Sequence, residues 1–213
     1  LDDLKDLKVL EVYHKGKKIE QEEKTELLPC APKLKNTVHL LNLSEERFKL
    51  LCTGDKAHVI EMMEGQITTM DKREEVPWEE KDGEKVFASN ASYQKIAVLE
   101  RHKYTGKMAA GIVKGFGLQG GAIASSVSHD SHNIIVVGDN DRDMYLAVKE
   151  LMRTQGGYTL VENGTVYDTL ALPVMGLISD EGYETVQEKL SRMIPKAHEM
   201  GIKEGFDPFI TLS

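Results

Sequence analysis

Residues 121–138 read GAIASSVSHDSHNIIVVG, in which a polar run separates two apolar ones. The apolar runs, at residues 122–127 and 133–137, are short, continuous and rich in small or β-branched side chains, so each predicts a strand. A polar run between buried strands is costly, because each buried donor or acceptor left unpaired costs roughly 1–3 kcal/mol. The stretch therefore predicts two strands joined by an exposed loop or by a functional site.

Further strand patterns occur on both sides of this stretch. The ranges with alternating or continuous apolar residues are 57–61, 66–70, 95–100, 158–162 and 165–170. Asn163-Gly164 separates the last two ranges and is a strong hairpin signal, while Asp82-Gly83 predicts a turn within an acidic stretch. Residues 107–116 fit either a strand or a short helix.

Two segments have helical spacing of their apolar residues. The first begins after Asp139 or Asn140, either of which can cap it, and stops at Gly156. The second follows Asp180, and Pro195 inside it predicts a kink or a split. The order of elements predicts an α+β fold with a mixed, strand-rich sheet and two or more packing helices.

The two ends of the chain indicate a piece of a longer polypeptide. Residues 9–20 predict a β-hairpin around Lys15-Gly16, and residues 21–36 predict a linker because they combine a charge run with two prolines. No methionine starts the chain, and residues 208–213 read as a strand cut short. We therefore expect two units, residues 1–36 and residues 37–213.

Composition excludes several classes of partner. The formal net charge is -8, which argues against a nucleic-acid backbone, since phosphates require clustered Lys and Arg. No apolar stretch approaches the roughly 18 residues that a membrane span needs, and the charged N-terminus does not resemble a signal peptide. Two cysteines, Cys30 and Cys52, provide no disulfide framework and are typical of reduced thiols in a cytoplasmic protein.

The polar run carries the candidate site residues, which are Ser128, His129, Asp130, Ser131, His132 and Asn133. His129, Asp130 and His132 are weak candidates for a metal site, because three ligands this close rarely form a closed site alone. In a strand the two histidines point to opposite faces. The open alternatives are an independent metal site, a loop that faces a ligand or supports catalysis, and a plain hydrogen-bonded turn.

Two further motifs are weak signals. Residues 115–120 match G-x-G-x-x-G, but a strand-like run follows them where a nucleotide fingerprint requires a helix. Residues 138–143 resemble a calcium loop in composition, but helix capping explains their acidic side chains more simply.

Three stretches resemble the C-terminal region of bacterial and archaeal adenine deaminases. They are KGFGL at residues 114–118, the stretch at residues 121–138, and LPVMGLISD at residues 172–180. The resemblance covers residues 37–213. The N-terminal hairpin resembles the point where amidohydrolases return from the catalytic barrel to their small β-sandwich domain.

The resemblance implies hydrolysis of adenine to hypoxanthine and ammonia in purine salvage. Enzymes of this kind hold one or two divalent metals, commonly manganese or iron, in a (β/α)8 barrel, where the metal activates the attacking water. No H-x-H motif occurs in this chain, so the resemblance implies a metal centre upstream, no cofactor here and no activity for this piece alone. The expected partners are adenine, the upstream barrel and, as an open alternative, a second copy.

The role expected of residues 128–133 is to reach the mouth of the barrel and to help bind or enclose adenine. Two other interpretations stay open. One is a non-catalytic oligomerisation or lid module. The other is a small stand-alone metallohydrolase that uses His129, Asp130 and His132.

Overall fold

The computed structural model describes Lys5 and residues 7–19, 29–66 and 68–212. The strands are β1 (Tyr13–His14), β2 (Lys17–Lys18), β3 (Ala57–Met62), β4 (Thr69–Glu74), β5 (Trp78–Lys81), β6 (Glu84–Phe87), β7 (Tyr93–Leu99), β8 (Met108–Lys114), β9 (Gly121–Ser125), β10 (Ile134–Gly138), β11 (Gly157–Glu162) and β12 (Thr165–Ala171). The helices are α1 (Asp141–Thr154) and α2 (Tyr183–Glu199).

Eight of the strands form one sheet in the order β12-β11-β9-β10-β7-β8-β3-β4. Neighbouring strands are antiparallel except β3 and β8, which are parallel. The predicted strand pair, β9 and β10, lies at the middle of this sheet, and Val136 pairs with Ala124 in its register. Every residue of these two strands is buried. The α+β class with a mixed sheet is therefore confirmed.

The sheet is covered on both faces, which explains why its central strands are apolar throughout. Successive side chains of a strand point to opposite faces. Ala124 and Val136 pack with residues of α1 in one core cluster. Ile123 and Val137 pack with residues of α2 and with the C-terminal segment 202–212 in a second cluster. A strand without a solvent face has no polar alternation, so it reads as a continuous apolar run.

Both predicted helices are present. Asn140 caps α1 by accepting a hydrogen bond from the backbone N–H of Asp143 at 2.8 Å. Asp139 instead accepts from the backbone N–H groups of Gly120 and Gly121, which holds the start of β9. Helix α2 continues through Pro195, so the predicted split is wrong. Pro195 is exposed, and the carbonyl group that loses its intrahelical donor can bind water.

Two predicted segments differ in the structure, and one open alternative is decided. Strand β4 starts at Thr69 rather than at residue 66. Residues 107–116, which fit either a strand or a short helix, contain strand β8 at Met108–Lys114. The predicted C-terminal strand is wrong, because Ile210–Leu212 form a 3-10 helix. Asp207 explains the turn, since its carboxylate accepts from the backbone N–H groups of Phe209 and Ile210 at 2.9 and 2.8 Å.

The N-terminal hairpin forms around Lys15-Gly16 as predicted, with Tyr13 paired to Lys18. The first half of the predicted linker, residues 21–28, lies outside the described residues. The hairpin segment exposes six large apolar side chains, namely Leu7, Val9, Leu10, Val12, Tyr13 and Ile19. Among the described residues, neither helix has the length and apolar character that crossing a bilayer requires.

Gly121 lies where the backbones of β9 and β11 approach closely. A Cβ atom at this position would lie 2.0 Å from the carbonyl oxygen of Val161 and 2.6 Å from Met200 Cε, so the backbones of β9 and β11 would have to separate. We expect Gly121→Ala to lower the free energy of unfolding by about 1–3 kcal/mol in urea titrations. Gly54→Ala is the control, because a Cβ there meets nothing within 4 Å. Equal stability of the two variants would contradict the packing described here.

Candidate functional site

The polar run between β9 and β10 forms a tight surface loop. His129 and Asp130 are at its tip, with 80% and 92% of their side chains exposed, and His129 Nδ1 lies 3.0 Å from Asp130 Oδ1. Ser128 is buried, Ser131 is exposed, and His132 and Asn133 are half-buried. The contact adds little to stability, because both side chains are exposed to water. The tip is therefore available to a ligand or a partner.

The loop is closed by backbone hydrogen bonds. The N–H of His132 donates to the carbonyl oxygen of Ser128 at 2.7 Å, and the N–H of Ser131 donates to that of His129 at 2.9 Å. Asp130 and His132 both have left-handed backbone conformations, with φ of 65° and 49°. Residues with a Cβ adopt this region rarely, so the surrounding contacts must hold it.

The imidazole of His132 has a defined protonation pattern when neutral. Its Nδ1 lies 3.1 Å from the carbonyl oxygen of Val127. A carbonyl oxygen only accepts, so Nδ1 carries the proton and Nε2 has the lone pair. Within the described part of the chain, no group forms a hydrogen bond with this Nε2. His132 therefore has a free acceptor, which suits an N–H donor of a ligand.

Arg101 ties the loop to two other segments. Its side chain is buried, with 1% exposure of the residue. Nε donates to the carbonyl oxygen of His132 at 2.5 Å, Nη1 to that of Thr37 at 3.2 Å, and Nη2 to that of Met175 at 3.0 Å. Burial lowers the pKa of the Arg101 guanidinium from its ordinary value. No carboxylate among the described residues forms an ion pair with it, so backbone carbonyl groups solvate the charge.

Ser126 fastens the base of the loop. Its hydroxyl donates to the carbonyl oxygen of Gly176 at 2.6 Å and accepts from the N–H of Gly157 at 2.8 Å. The residue is fully buried, so these bonds satisfy backbone groups that water cannot reach. The turn that follows β12, closed by a bridge between Val174 and Ile178, is thereby held against the loop.

A second loop supports the first from the end of β7. His102 Nε2 lies 3.0 Å from the carbonyl oxygen of Ser131. Glu100 organises this second loop: a hydrogen bond from the Thr105 hydroxyl, followed by backbone N–H bonds from His102, Thr105 and Lys103, lowers the pKa of its carboxyl to about 2 against burial. Asn133 Oδ1 is buried without a hydrogen-bond partner in the described residues. The loop thus keeps an unused acceptor at its base.

Comparison with known proteins gives this site its context. The family model described as "Adenine deaminase C-terminal domain" matches residues 66–213. The chain belongs to this family. The match begins between β3 and β4, so the predicted boundary at residue 37 stays a prediction.

Three similar proteins are named adenine deaminases. The chain is 50% identical over 213 residues to the adenine deaminase of Desulfitobacterium hafniense (strain Y51). It is 40% identical over 217 residues to that of Nitratidesulfovibrio vulgaris (strain DP4), and 38% identical over 216 residues to "Adenine deaminase 2" of Carboxydothermus hydrogenoformans. Each comparison covers 100% of this chain and 37% of the relative. The chain thus spans little more than a third of the length of these relatives.

The loop 128–133 does not bring three metal ligands together. His132 is held by Val127, whereas His129 and Asp130 pair with each other at the tip. Across the described residues, no group of three or more His, Cys, Asp or Glu side chains could hold a metal ion. The interpretation of the chain as a stand-alone metallohydrolase therefore has no ligand set in the described structure.

The other weak motifs have structural roles. Gly115, Gly117 and Gly120 all have positive φ, and strand β9 follows them, so the glycine run is a turn. In the run that resembles a calcium loop, Asp141 pairs with the buried Lys95 at 2.5 Å.

Sequence reasoning missed the residues that hold the loop: Arg101, His102, Ser126, Met175 and Gly176. No spacing connects Arg101, His102, Met175 or Gly176 with residues 128–133, since their contacts arise only when the sheet forms. The available signals were the family stretches at residues 121–138, which contains Ser126, and 172–180, which contains Met175 and Gly176.

The lowered pKa of Glu100 predicts a pH-dependent contribution to stability. Its ionised form stabilises the fold above the ordinary pKa of 4.5, and that contribution is lost as the pH falls towards about 2. We expect Glu100→Gln to lower the free energy of unfolding at pH 7, with a difference from the wild type that shrinks between pH 4.5 and pH 2. Urea titrations across this range measure it. Glu46→Gln, at an exposed position, is the control, and a difference independent of pH would count against the role of the carboxylate.

Proposed function

We propose that this chain is the C-terminal part of an adenine deaminase, and that residues 128–133 complete the pocket in which adenine is bound. The intact enzyme would hydrolyse adenine to hypoxanthine and ammonia. The observation that carries the proposal is the half-buried His132, whose Nε2 is an acceptor without a partner on this part of the chain. Family membership and the names of the relatives support it.

Adenine has donors that match this acceptor. Its exocyclic amino group and its ring N–H both donate hydrogen bonds, and a neutral imidazole nitrogen accepts them. If Nε2 faces the amino group, it also distinguishes substrate from product, because hypoxanthine has an accepting oxygen in the same place. The exposed tip, His129 and Asp130, would then lie at the rim of the pocket.

The metal belongs to the part of the polypeptide that precedes this chain. Manganese or iron bound there would activate the water that attacks C6 of the purine. The described residues provide no ligand set for such an ion, so their proposed work is to bind and orient the base. We also propose a cytoplasmic location, which suits the two cysteines that form no disulfide.

A second candidate function is a non-catalytic oligomerisation module. The observation in its favour is a groove of about 530 Å³ along α2, lined almost entirely by apolar atoms of residues such as Tyr183, Leu190 and Ile194. Tyr183 is 74% exposed. An oligomerisation module would bind a second copy through this groove and would leave the loop without a ligand.

Assays of the purified chain separate these functions. We expect the 213-residue chain to deaminate no adenine and to contain no stoichiometric metal by elemental analysis, because its described residues lack a ligand set. The full-length polypeptide should show both activity and metal. Stoichiometric metal in the short chain would favour the stand-alone hydrolase, and self-association with a loop insensitive to substitution would favour the oligomerisation module.

Substitutions of His132 in the full-length enzyme distinguish the roles of its two ring nitrogens. Asn places an amide near Nδ1 and can keep the hydrogen bond to Val127, whereas Gln places an amide oxygen near Nε2. We expect kcat/KM for adenine to fall roughly tenfold or more in His132→Asn, with the melting temperature retained, because the ligand loses its acceptor. His132→Gln should keep more activity than His132→Asn.

Alanine variants complete the test. His129→Ala and Asp130→Ala remove only exposed side chains at the tip, so both should fold normally and change KM more than kcat. Wild-type kcat/KM in these two variants and in His132→Ala, with folding intact, would reject the assignment of the loop to the adenine pocket.

A further inference from the structure

Two left-handed residues from separate loops converge on one guanidinium group. His132 has φ 49° and Met175 has φ 60°. The carbonyl oxygen of each accepts a hydrogen bond from Arg101, at 2.5 Å from Nε and at 3.0 Å from Nη2. Neither residue is glycine, so both backbones are held in a region that their side chains disfavour. Arg101 is therefore the common contact of the two strained positions.

The guanidinium has a fixed place in the fold. Arg101 follows β7, and its own carbonyl oxygen accepts a hydrogen bond from the N–H of His39 at 2.8 Å. Nη1 donates to Thr37, and Gly176 leaves the space above the group, since a Cβ there would lie 2.8 Å from Cζ. A planar fork in a fixed place sets the relative directions of the carbonyl groups that it binds, which a lysine ammonium cannot do.

Burying a cation without a carboxylate partner costs desolvation free energy. An apolar side chain of similar size would pack the same volume without the cost of removing a charge from water. What the guanidinium adds is direction, because its Nε and Nη2 bind groups on the loop 128–133 and on the turn 174–178 at once.

We propose that Arg101 is a positioning residue, which holds the loop 128–133 and the turn 174–178 as one unit and so orients His132 for adenine. This inference rests on the proposed function of the loop. Arg101 itself is buried. It acts through the backbone of His132, whose ring is fixed on its other side by Val127.

Arg101→Lys in the full-length enzyme tests the inference, because it keeps the charge and removes the fork. We expect amides of residues 128–133 and 174–178 to lose protection in hydrogen exchange, while amides of β9 and β10 keep theirs. Adenine KM should rise more than kcat falls, and kcat/KM should drop by up to about 100-fold. Arg153→Lys is the control, because Arg153 is an exposed residue of α1 that pairs with Glu150.

A second substitution separates positioning from general stability. Glycine adopts the left-handed region freely, so Met175→Gly in the Arg101→Lys background should restore part of the protection of the turn and part of kcat/KM. A merely structural role of Arg101 predicts no such recovery.

Two outcomes would overturn parts of this account, and they are distinguishable. Unchanged exchange in both loops of Arg101→Lys, with unchanged KM, overturns the inference itself. Lost protection in both loops with wild-type kcat and KM overturns the proposed function of the loop, and with it the catalytic part of the inference.

Discussion

The burial of one positive charge organises the end of the sheet at which the loop 128–133 lies. Arg101 lies inside the protein without a carboxylate partner among the described residues, and three backbone carbonyl groups solvate it. Those groups belong to segments that are far apart in the sequence: the approach to the sheet at Thr37, the loop at His132 and the turn at Met175. A buried charge that loses a partner is costly, so each of the three segments is constrained by the other two.

The central strand pair holds the loop 128–133 that Arg101 contacts. Strands β9 and β10 are buried on both faces, between α1 and α2, so their positions are fixed by close packing. The loop 128–133 joins these two strands, so the residues at its base are held in place by the strands. Its tip, at His129 and Asp130, is still exposed. This combination of a rigid base and an open tip is what a binding loop requires.

Membership of the adenine deaminase C-terminal domain family agrees with a proposed role in binding rather than in metal chemistry. The described residues contain no metal-ligand cluster, and the chain spans 37% of the length of its relatives. The chain's proposed contribution is recognition, through His132, whose Nδ1 is hydrogen-bonded to the carbonyl oxygen of Val127. In the proposed function, this domain contributes a wall of a pocket whose reactive centre lies on another part of the same polypeptide.

The sequence by itself determined the elements and the polar run. Apolar runs at residues 122–127 and 133–137, the capping residue Asn140 and the Asn163-Gly164 turn are local signals, and local signals determine local structure. The resemblance in three stretches also determined the family. The C-terminal segment was mispredicted because one side chain, Asp207, caps a turn that apolar content alone reads as a strand.

Only the tertiary structure decided which residues support the loop. Arg101, Ser126 and Met175 come from three different parts of the chain, and nothing in their spacing connects them. Their contacts exist because the carboxyl ends of β7, β9 and β12 lie at the same end of the sheet, with β10 and β11 between them. Hydrogen bonds from side chains to distant backbone carbonyl groups leave no periodic trace in a sequence, since any residue type can supply the carbonyl oxygen.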